Sequence, residues 1–276
     1  MNGSTERQHR ATTRIMSFNI RRPMREWPWN RADHWSVRES RLRALVQAER
    51  PTVLAAQEVF PAQARSVQSA LGPQYRKIGY GRSRDGRGEA CPVFYDASRL
   101  ELREWRQFAL SDTPEVPGSR SWGSVFPRVV VSAVFRDRTT SALFRLMNTH
   151  LDPFSGRARS RAADVIRTHV ASSAEPVVVT GDLNAAPGST ALELLQQDGT
   201  LVDAWQAANE RSTPEYGTFQ NYRQPRPGRR IDWILTTPTI SVERVAIDPT
   251  RYLGGWASDH LPIQAEVVIP HREGNA

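Results

Sequence analysis

Short apolar runs of strand length recur along the whole 276-residue chain, and several of them end on an acid, an amide or a histidine. TRIMSFNI (13–20) delivers Asn19, and TVLAAQEV (52–59) delivers Glu58. ALFRLMNTHL carries Asn148 and His150, and PVVVTGD ends on Asp182 with Asn184 two residues on. Asp232 lies inside RIDWILTT, and Asp259-His260 directly precedes LPIQAEVVI. YRKIGY, CPVFY, LELREWRQFAL, RVVVSAVF and ISVERVAI are further predicted strands. Helical patterns lie between the strands. Ser36 to Glu39 reads as a capping box opening a helix through Leu42, Leu45 and Val46 that stops at Pro51. PAQARSVQSAL (61–71) is a second helix. GRARSRAADVIRTHV is a third, with Ala158, Ala162, Val165, Ile166 and His169 on one face, and shorter helices are predicted near 189–197 and 201–209. Strands outnumber helices and the two are interspersed in both halves, which predicts an α/β fold with mixed sheets.

No repeat or linker divides the chain, so a single domain is expected over 13–270, after a disordered polar lead-in (1–12) and before a short tail (271–276). No apolar stretch approaches the ~18 residues that a membrane span needs, so no membrane partner is expected. The single cysteine, Cys91, excludes an internal disulfide and a cysteine zinc site, and fits a reducing, cytoplasmic setting. A monomer is expected. The net charge of +8 is almost all arginine, with Lys77 the one lysine. The arginines are scattered. The densest group, RARSRAADVIR (157–167), reads as a solvated helix face, and the charge agrees with an anionic substrate without establishing one. The loops 81–90, 111–127 and 211–229 are long and rich in Gly, Pro, Ser and Arg, as functional loops often are.

Polar groups at the edges of buried strands cost several kcal/mol unless paired, hydrated or metal-bound. Each has a structural reading of its own. Asn19 and Asn184 could be turn residues, Asp182 a helix cap, Asp232 a partner of Arg229 or Arg230, and His150 and His260 hydrogen-bonded core residues. Their recurrence at so many strand ends points instead to one shared site. Glu58, Asp182 and Asp259 are hard oxygen donors suited to Mg²⁺ or Mn²⁺, and magnesium takes only one or two carboxylates, which leaves an acid to serve as a base. The histidines lack H-E-x-x-H spacing. The chain has no Walker A motif, no dinucleotide fingerprint and no G-x-S-x-G elbow. Metal-assisted attack of water on a phosphoester fits this set best.

SFNIRR, QEV, GRGEACPVFY, NTHLD, GDLN, IDWIL and SDHLP, in that order over residues 15–263, resemble the motifs of the endonuclease/exonuclease/phosphatase superfamily, which has the deoxyribonuclease-I-like fold. The stretch LSDTPEVPGSRSWGSVFPR resembles bacterial members described as family hydrolases. The resemblance implies a four-layer sandwich, two mixed β-sheets packed face to face with helices outside. It implies Glu58 as principal metal ligand, with Asn19 and Asp259 near the metal or its waters, and Asp182 as the base that deprotonates the attacking water. Asn184, on the same side of an extended chain, would position that water or a phosphate oxygen. His260 oriented by Asp232 and His150 oriented by Glu89 would contact the phosphate, and Arg128 would bind it. The sequence departs from the digestive deoxyribonucleases at Phe60, where they carry a DNA-contacting arginine, and in lacking their disulfides.

The family acts on DNA, RNA, inositol phosphates, sphingomyelin and small phosphoesters, so the motifs imply the reaction and leave the substrate open. Trp122 and Trp256, in loops beside predicted site residues, are candidates for stacking on a base or sugar, with packing as the other reading. The leading expectation is a Mg²⁺- or Mn²⁺-dependent phosphodiesterase or phosphatase on a small or nucleic-acid phosphoester. A repair-type nuclease using the basic surface is the alternative. A binding module without turnover would predict replacement of Glu58, Asp182 or His260, and all three are present.

Overall fold

The structure is a computed structural model that describes residues 11–24 and 30–271. The lead-in and tail expected at 1–12 and 271–276 therefore fall largely outside the described residues. Thirteen strands form two mixed sheets. In the first, β1 (Thr13–Asn19) runs parallel to β2 (Val53–Gln57). β13 (Ile263–Val268) and β12 (Ser241–Ile247) flank β1, with the two-residue β10 (Glu210–Arg211) at the edge, and β4 (Val93–Asp96) and β3 (Tyr75–Ile78) lie beyond β2. In the second, β7 (Leu143–His150) runs parallel to β8 (Val177–Asp182). β6 (Val129–Asp137) and β5 (Leu100–Ala109) extend one side, and β11 (Asp232–Thr236) and β9 (Val202–Asp203) the other. Each sheet is thus centred on one parallel pair joined by a crossover helix, α1 (Trp35–Glu49) for β1–β2 and α3 (Gly156–Ala171) for β7–β8.

Three separate apolar clusters define four layers, as the resemblance implies. Ile15, Val53, Val131, Leu146, Val178 and Ile263 meet between the sheets. Met16, Phe18 and Leu54 pack outward against Leu42 and Leu45 of α1 and Val67 of α2 (Pro61–Leu71). Val177, Val179 and Trp233 pack outward against Ala162 and Ile166 of α3 and Leu192 and Leu195 of α4 (Thr190–Gln196). The central strands are buried on both faces, which is why they read as nearly continuous apolar runs rather than alternating ones.

Along the inter-sheet face, which takes every second residue, polarity rises toward one end of the sandwich. The sequence runs Ile15, Ser17, Asn19 on β1 and Val53, Ala55, then Gln57 on β2. It runs Leu146, Asn148, His150 on β7 and Val178, Thr180, Asp182 on β8. β11 runs the other way and brings Asp232 to the same end, opposite Asp182 in the register. Beneath the site the polar side chains satisfy one another across the sheets. Gln57 Nε2 donates to Asn148 Oδ1 (2.8 Å), and Asn148 Nδ2 donates to the carbonyls of Ala56 (2.9 Å) and Cys91 (3.0 Å). At Gly181 of β8 an added Cβ would collide with the Thr149 carbonyl of β7, so the pairing leaves no room for a side chain there.

Some local expectations change. α1 begins one residue before Ser36, with His34 as its N-cap and no side-chain capping bond, because the chain is already helical at Trp35 and Ser36 lies inside the first turn. The region read as a helix over 201–209 is split into β9 and a single turn, α5 (Ala204–Ala207), capped by Asp203, which accepts the Trp205 N–H at 3.0 Å.

At the opposite end of the sandwich Asp137, 1% exposed, accepts two bonds from Arg99 (2.8 Å each) and one from Thr13 (3.2 Å). Burial alone would raise its carboxyl, but Arg99 and the Thr139 and Thr140 amides prevail and hold it below the usual range. A carboxyl depressed on folding stabilises above its unfolded-state value and loses that contribution as pH falls through the folded-state value. The stability advantage of the wild type over Asp137→Asn, measured by urea unfolding, should therefore be about 2 kcal/mol at neutral pH and shrink below about pH 4. An advantage that is flat from pH 7 to pH 3 would contradict this account.

Candidate active site

The polar ends of both sheets open on one cleft of ≈ 390 Å³. Glu58, Glu89, His150, Asp182, Asp259 and His260 face it. Asn19 stands at the centre. Its Nδ2 donates to Glu58 Oε1 (3.1 Å) on its own sheet and to Asp182 Oδ2 (3.0 Å) on the other. Its Oδ1 accepts the Arg21 N–H (3.0 Å), which fixes the amide orientation, because a backbone N–H can bond only to the oxygen. Asn19 therefore holds two carboxylates in place and presents N–H groups, not an oxygen, toward them.

Glu58 follows β2 with φ +61, a left-handed conformation that is uncommon for a side chain of this size. Its second oxygen accepts the Arg22 N–H at 2.9 Å. Burial would raise this carboxyl, but charge on His150 with the Arg22 and Asn19 bonds holds it at about 2. It is an anion at any working pH. Asp259 and Asp182 behave oppositely. Burial pushes both above the usual range, and Asp232 adds to the effect on Asp182. Ser258 Oγ donates to Asp259 Oδ1 (3.2 Å), and Arg21 Nε lies 3.5 Å from its other oxygen.

The two histidines approach Asp182 Oδ2 from different strands, His150 Nε2 at 3.5 Å and His260 Nε2 at 3.8 Å. His260 Nδ1 bonds Asp232 Oδ2 at 2.8 Å. Burial disfavours the imidazolium, but Asp232 outweighs it and lifts His260 to about 10. His150 Nδ1 stands 3.6 Å from Glu89 Oε1, an ion-pair distance beyond hydrogen-bond range. Glu89 is itself clamped by Arg82 (2.8 and 3.0 Å), and although burial opposes it, the charges of His150 and Arg82 keep its carboxyl below the usual range. Arg128 lines the cleft with its Nε free of any hydrogen-bond partner among the described residues.

The donor set suits a hard divalent cation. Glu58 and Asp259 offer carboxylate oxygens at the cleft, and two buried carboxyls with raised values are short of positive charge. Asp182, Asp232 and His260 also place one ligand atom each within 4.8 Å of one another. Two of those three, Asp232 and His260, already share the 2.8 Å hydrogen bond as an acid–histidine pair.

A family model described as "Endonuclease/Exonuclease/phosphatase family" matches residues 16–260. The chain belongs to that family. No curated protein matches it in sequence. Among solved structures, an endonuclease/exonuclease/phosphatase from Bacteroides vulgatus is 29% identical with a TM-score of 0.86, covering 95% of this chain and 100% of that one. The Bacteroides thetaiotaomicron mannosyl-6-phosphatase Bt3783 is 28% identical with a TM-score of 0.86, covering 93% of this chain and 100% of that one. D. rerio TDP2 complexed with single strand DNA product is similar in fold, at 18% identity and a TM-score of 0.70, covering 93% of this chain and 99% of that one.

Two of the sequence-predicted residues of this family member lie away from the cleft. Trp256 is 9% exposed and packs in the inter-sheet core, its Nε1 on the Pro249 carbonyl (3.2 Å). Trp122 is held against the outer core by a bond to Asp112 (2.8 Å), with Arg161 over its ring. Both are used for packing, and neither lines the cleft. The aromatic groups that do line it are Phe126, Phe154 and Phe219, which are 45%, 72% and 49% exposed. Asn184 does line the cleft, but through a turn and not an extended chain. Its φ is +48, its N–H donates to Asp182 Oδ1 (2.9 Å) and its Nδ2 to the Leu151 carbonyl (3.0 Å). Arg21, Arg22, Arg82 and the three phenylalanines were missed as site residues, since nothing in their spacing sets them apart from the other arginines and loop aromatics.

Removing the Asp232 charge should return His260 to or below the ordinary imidazole value of about 6.5. An NMR titration of metal-free Asp232→Asn protein would read this from the His260 ring shifts, and a titration still near that of the wild type would refute the pairing.

Proposed function

We propose that this protein hydrolyses phosphoesters of small molecules, with Asp182 activating the attacking water. The observation that carries the reading is the convergence on one cleft of an anionic Glu58, a basic Asp182 and two histidines backed by acids, delivered by the strand ends of both sheets. Glu58 and Asp259 would hold Mg²⁺ or Mn²⁺, which when bound supplies positive charge against the phosphate oxygens.

The residues of the chain divide the remaining work. Asp182 has its raised basicity, and its oxygens are fixed by the Asn19 amide and the Asn184 N–H, so one lone pair is aimed at a water in the cleft. His260, charged and locked by Asp232, offers its Nε2–H to a phosphate oxygen. His150 approaches from the other sheet, its Nδ1 3.6 Å from Glu89, which Arg82 clamps. These donors are set by strand geometry before the substrate arrives, so charge that grows on the phosphate meets groups already aimed at it. Arg128, whose Nε beside the cleft makes no hydrogen bond and lies 3.8 Å from Asp152 Oδ2, fits a phosphate-binding role.

The small-molecule reading draws on the cleft volume of ≈ 390 Å³, the size of a small-ligand pocket, and on the relative that carries the name mannosyl-6-phosphatase at 28% identity. The phenylalanines at the rim suit the apolar face of a ring.

Purified protein with Mg²⁺ or Mn²⁺ should turn over members of a panel holding sugar phosphates, nucleotides, p-nitrophenyl phosphate, bis(p-nitrophenyl) phosphate, DNA and RNA. Asp182→Asn should lower kcat by about 10²–10⁴-fold on whichever member reacts. Glu58→Gln should raise the metal concentration needed for half-maximal rate. No metal-dependent turnover of any member would overturn the proposed reaction, and full activity in Asp182→Asn would overturn the assignment of the base.

A further inference from the structure

A second cavity of ≈ 770 Å³ opens beside the catalytic cleft and shares Pro153, Asn184, Phe219 and Ile231 with its wall. Arg159, Arg223, Arg226 and Arg229 line it, and no acid does among the described residues. No carboxylate pairs with Arg223, Arg226 or Arg229 among the described residues, although most buried or clefted arginines here are tied. Arg230, next in sequence, binds Asp203 at 2.6 and 3.1 Å, and Arg82 binds Glu89. All three are exposed, so water and salt screen their mutual repulsion, yet an anion in the hollow would face three guanidinium groups that no carboxylate occupies.

The loop that carries these arginines is built into the site. The Gln220 and Asn221 N–H groups both donate to the Asp259 carbonyl (3.0 and 2.9 Å), and Leu261 N–H donates to the Thr218 carbonyl (2.8 Å). Thr218 Oγ accepts the N–H of Asp232 (3.1 Å), and Tyr222 donates to Asp33 (2.6 Å). The loop base is closed by Gly217 N–H on the Arg226 carbonyl (3.0 Å), where Gly217 lies against Gly228. Phe219 stands at the junction of the two hollows, its ring 5.1 Å from that of His260. The two hollows share this Phe219 wall, so they adjoin where the histidines face the cleft.

We propose that the arginine-lined chamber binds a second phosphate of the substrate, so that the preferred substrates are small bisphosphorylated molecules. This rests on the phosphoester-hydrolase reading of the neighbouring cleft. The hollow's volume of ≈ 770 Å³ is that of a small-molecule site, which favours a small molecule over a polynucleotide. In the dense arginine run of α3, Arg159 is bound to the Asp152 carbonyl, Arg161 lies over Trp122 and Arg167 pairs with Asp164, which leaves Arg157.

Two matched pairs test the proposal, each with and without the second phosphate: fructose 6-phosphate against fructose 1,6-bisphosphate, and thymidine 5′-(p-nitrophenyl phosphate) against its 3′-phosphorylated form. In at least one pair the second phosphate should lower KM by about tenfold or more, with an advantage that shrinks as salt rises. The advantage should vanish in Arg223→Ala/Arg226→Ala/Arg229→Ala and return in part in the corresponding lysine variant. Because the readout is a ratio within one protein, a general loss of folded enzyme does not imitate it. Calorimetric titration of the same compounds into Asp182→Asn with Mg²⁺ gives a readout that does not need turnover, so failure of the hydrolase reading is separable from failure of the chamber. Equal KM and equal affinity within both pairs would overturn the proposal. So would a triple variant that loses affinity for a single-stranded oligonucleotide while both bisphosphates bind as before, since the chamber would then serve nucleic acid.

Discussion

Two sheets that pack face to face through an apolar core cannot simply end in water, because the last residues of each inner face must be either hydrated or paired. Here they pair across the gap. The Asn19–Asp182 bond of 3.0 Å and the Gln57–Asn148 bond of 2.8 Å each join one sheet to the other. A buried polar group left alone would cost more than such a bond gains, so these contacts fix the separation and register of the sandwich at its polar end. Everything in the cleft depends on that. Glu58 is placed by Asn19 from one sheet, Asp182 by the same amide from the other, and both histidines are measured from Asp182.

A second constraint follows from the number of acids. Glu58, Glu89, Asp182, Asp232 and Asp259 share one end of the molecule. Like charges so close cannot all remain ionised without compensation. The fold sorts them. Glu58 and Glu89 face cationic partners and stay depressed, whereas Asp182 and Asp259 are raised by burial. Arg38 holds the frame for this sorting from behind. It is fully buried and donates to the carbonyls of Ile20 (2.9 Å), Arg22 (2.8 Å), Asp33 (3.0 Å) and Ala257 (3.3 Å). Ile20 and Arg22 belong to the chain leaving β1, whose Arg22 N–H fixes Glu58, and Ala257 to the chain arriving at Asp259. One planar guanidinium thus braces the segment that holds Glu58 and the segment that carries Asp259, the two proposed metal donors.

The strands, and with them most of the site, were legible because a strand buried on both faces announces itself as an apolar run and its polar end residue then stands out. Asn19, Glu58, His150, Asp182 and Asp232 are of this kind. Loop residues have no such frame. Trp122 and Trp256 lie close in sequence to site residues, yet indole rings are large enough that packing claims them, at Asp112 and in the inter-sheet core. Phe126, Phe154 and Phe219 sit in equally unremarkable surroundings and are left exposed at the cleft. Asn184 was read as extended from its spacing to Asp182, but the strand stops at Asp182, and the side chain folds the following residues into a turn that no two-residue period can describe. The capping box at Ser36 failed for a related reason. A four-residue signature marks a helix start only if nothing upstream is already helical, and Trp35 is.

The way the 217–229 loop is fastened bears on how one catalytic frame can serve different substrates. Its ties to the site run through backbone groups, Gln220 and Asn221 N–H to the Asp259 carbonyl and the Thr218 carbonyl to Leu261 N–H, and through the side chains of Thr218, Phe219, Gln220 and Tyr222. None of these ties uses an arginine side chain. The arginines at 223, 226 and 229 can therefore be exchanged without moving Asp259 or the Asp232–His260 pair. Asn19, Glu58, Asp182 and Asp232 have no such freedom, because each is held by a side-chain bond to another residue of the proposed site. Chemistry is thus written in residues that constrain one another across the sheets, and selectivity in residues that hang from a fixed backbone.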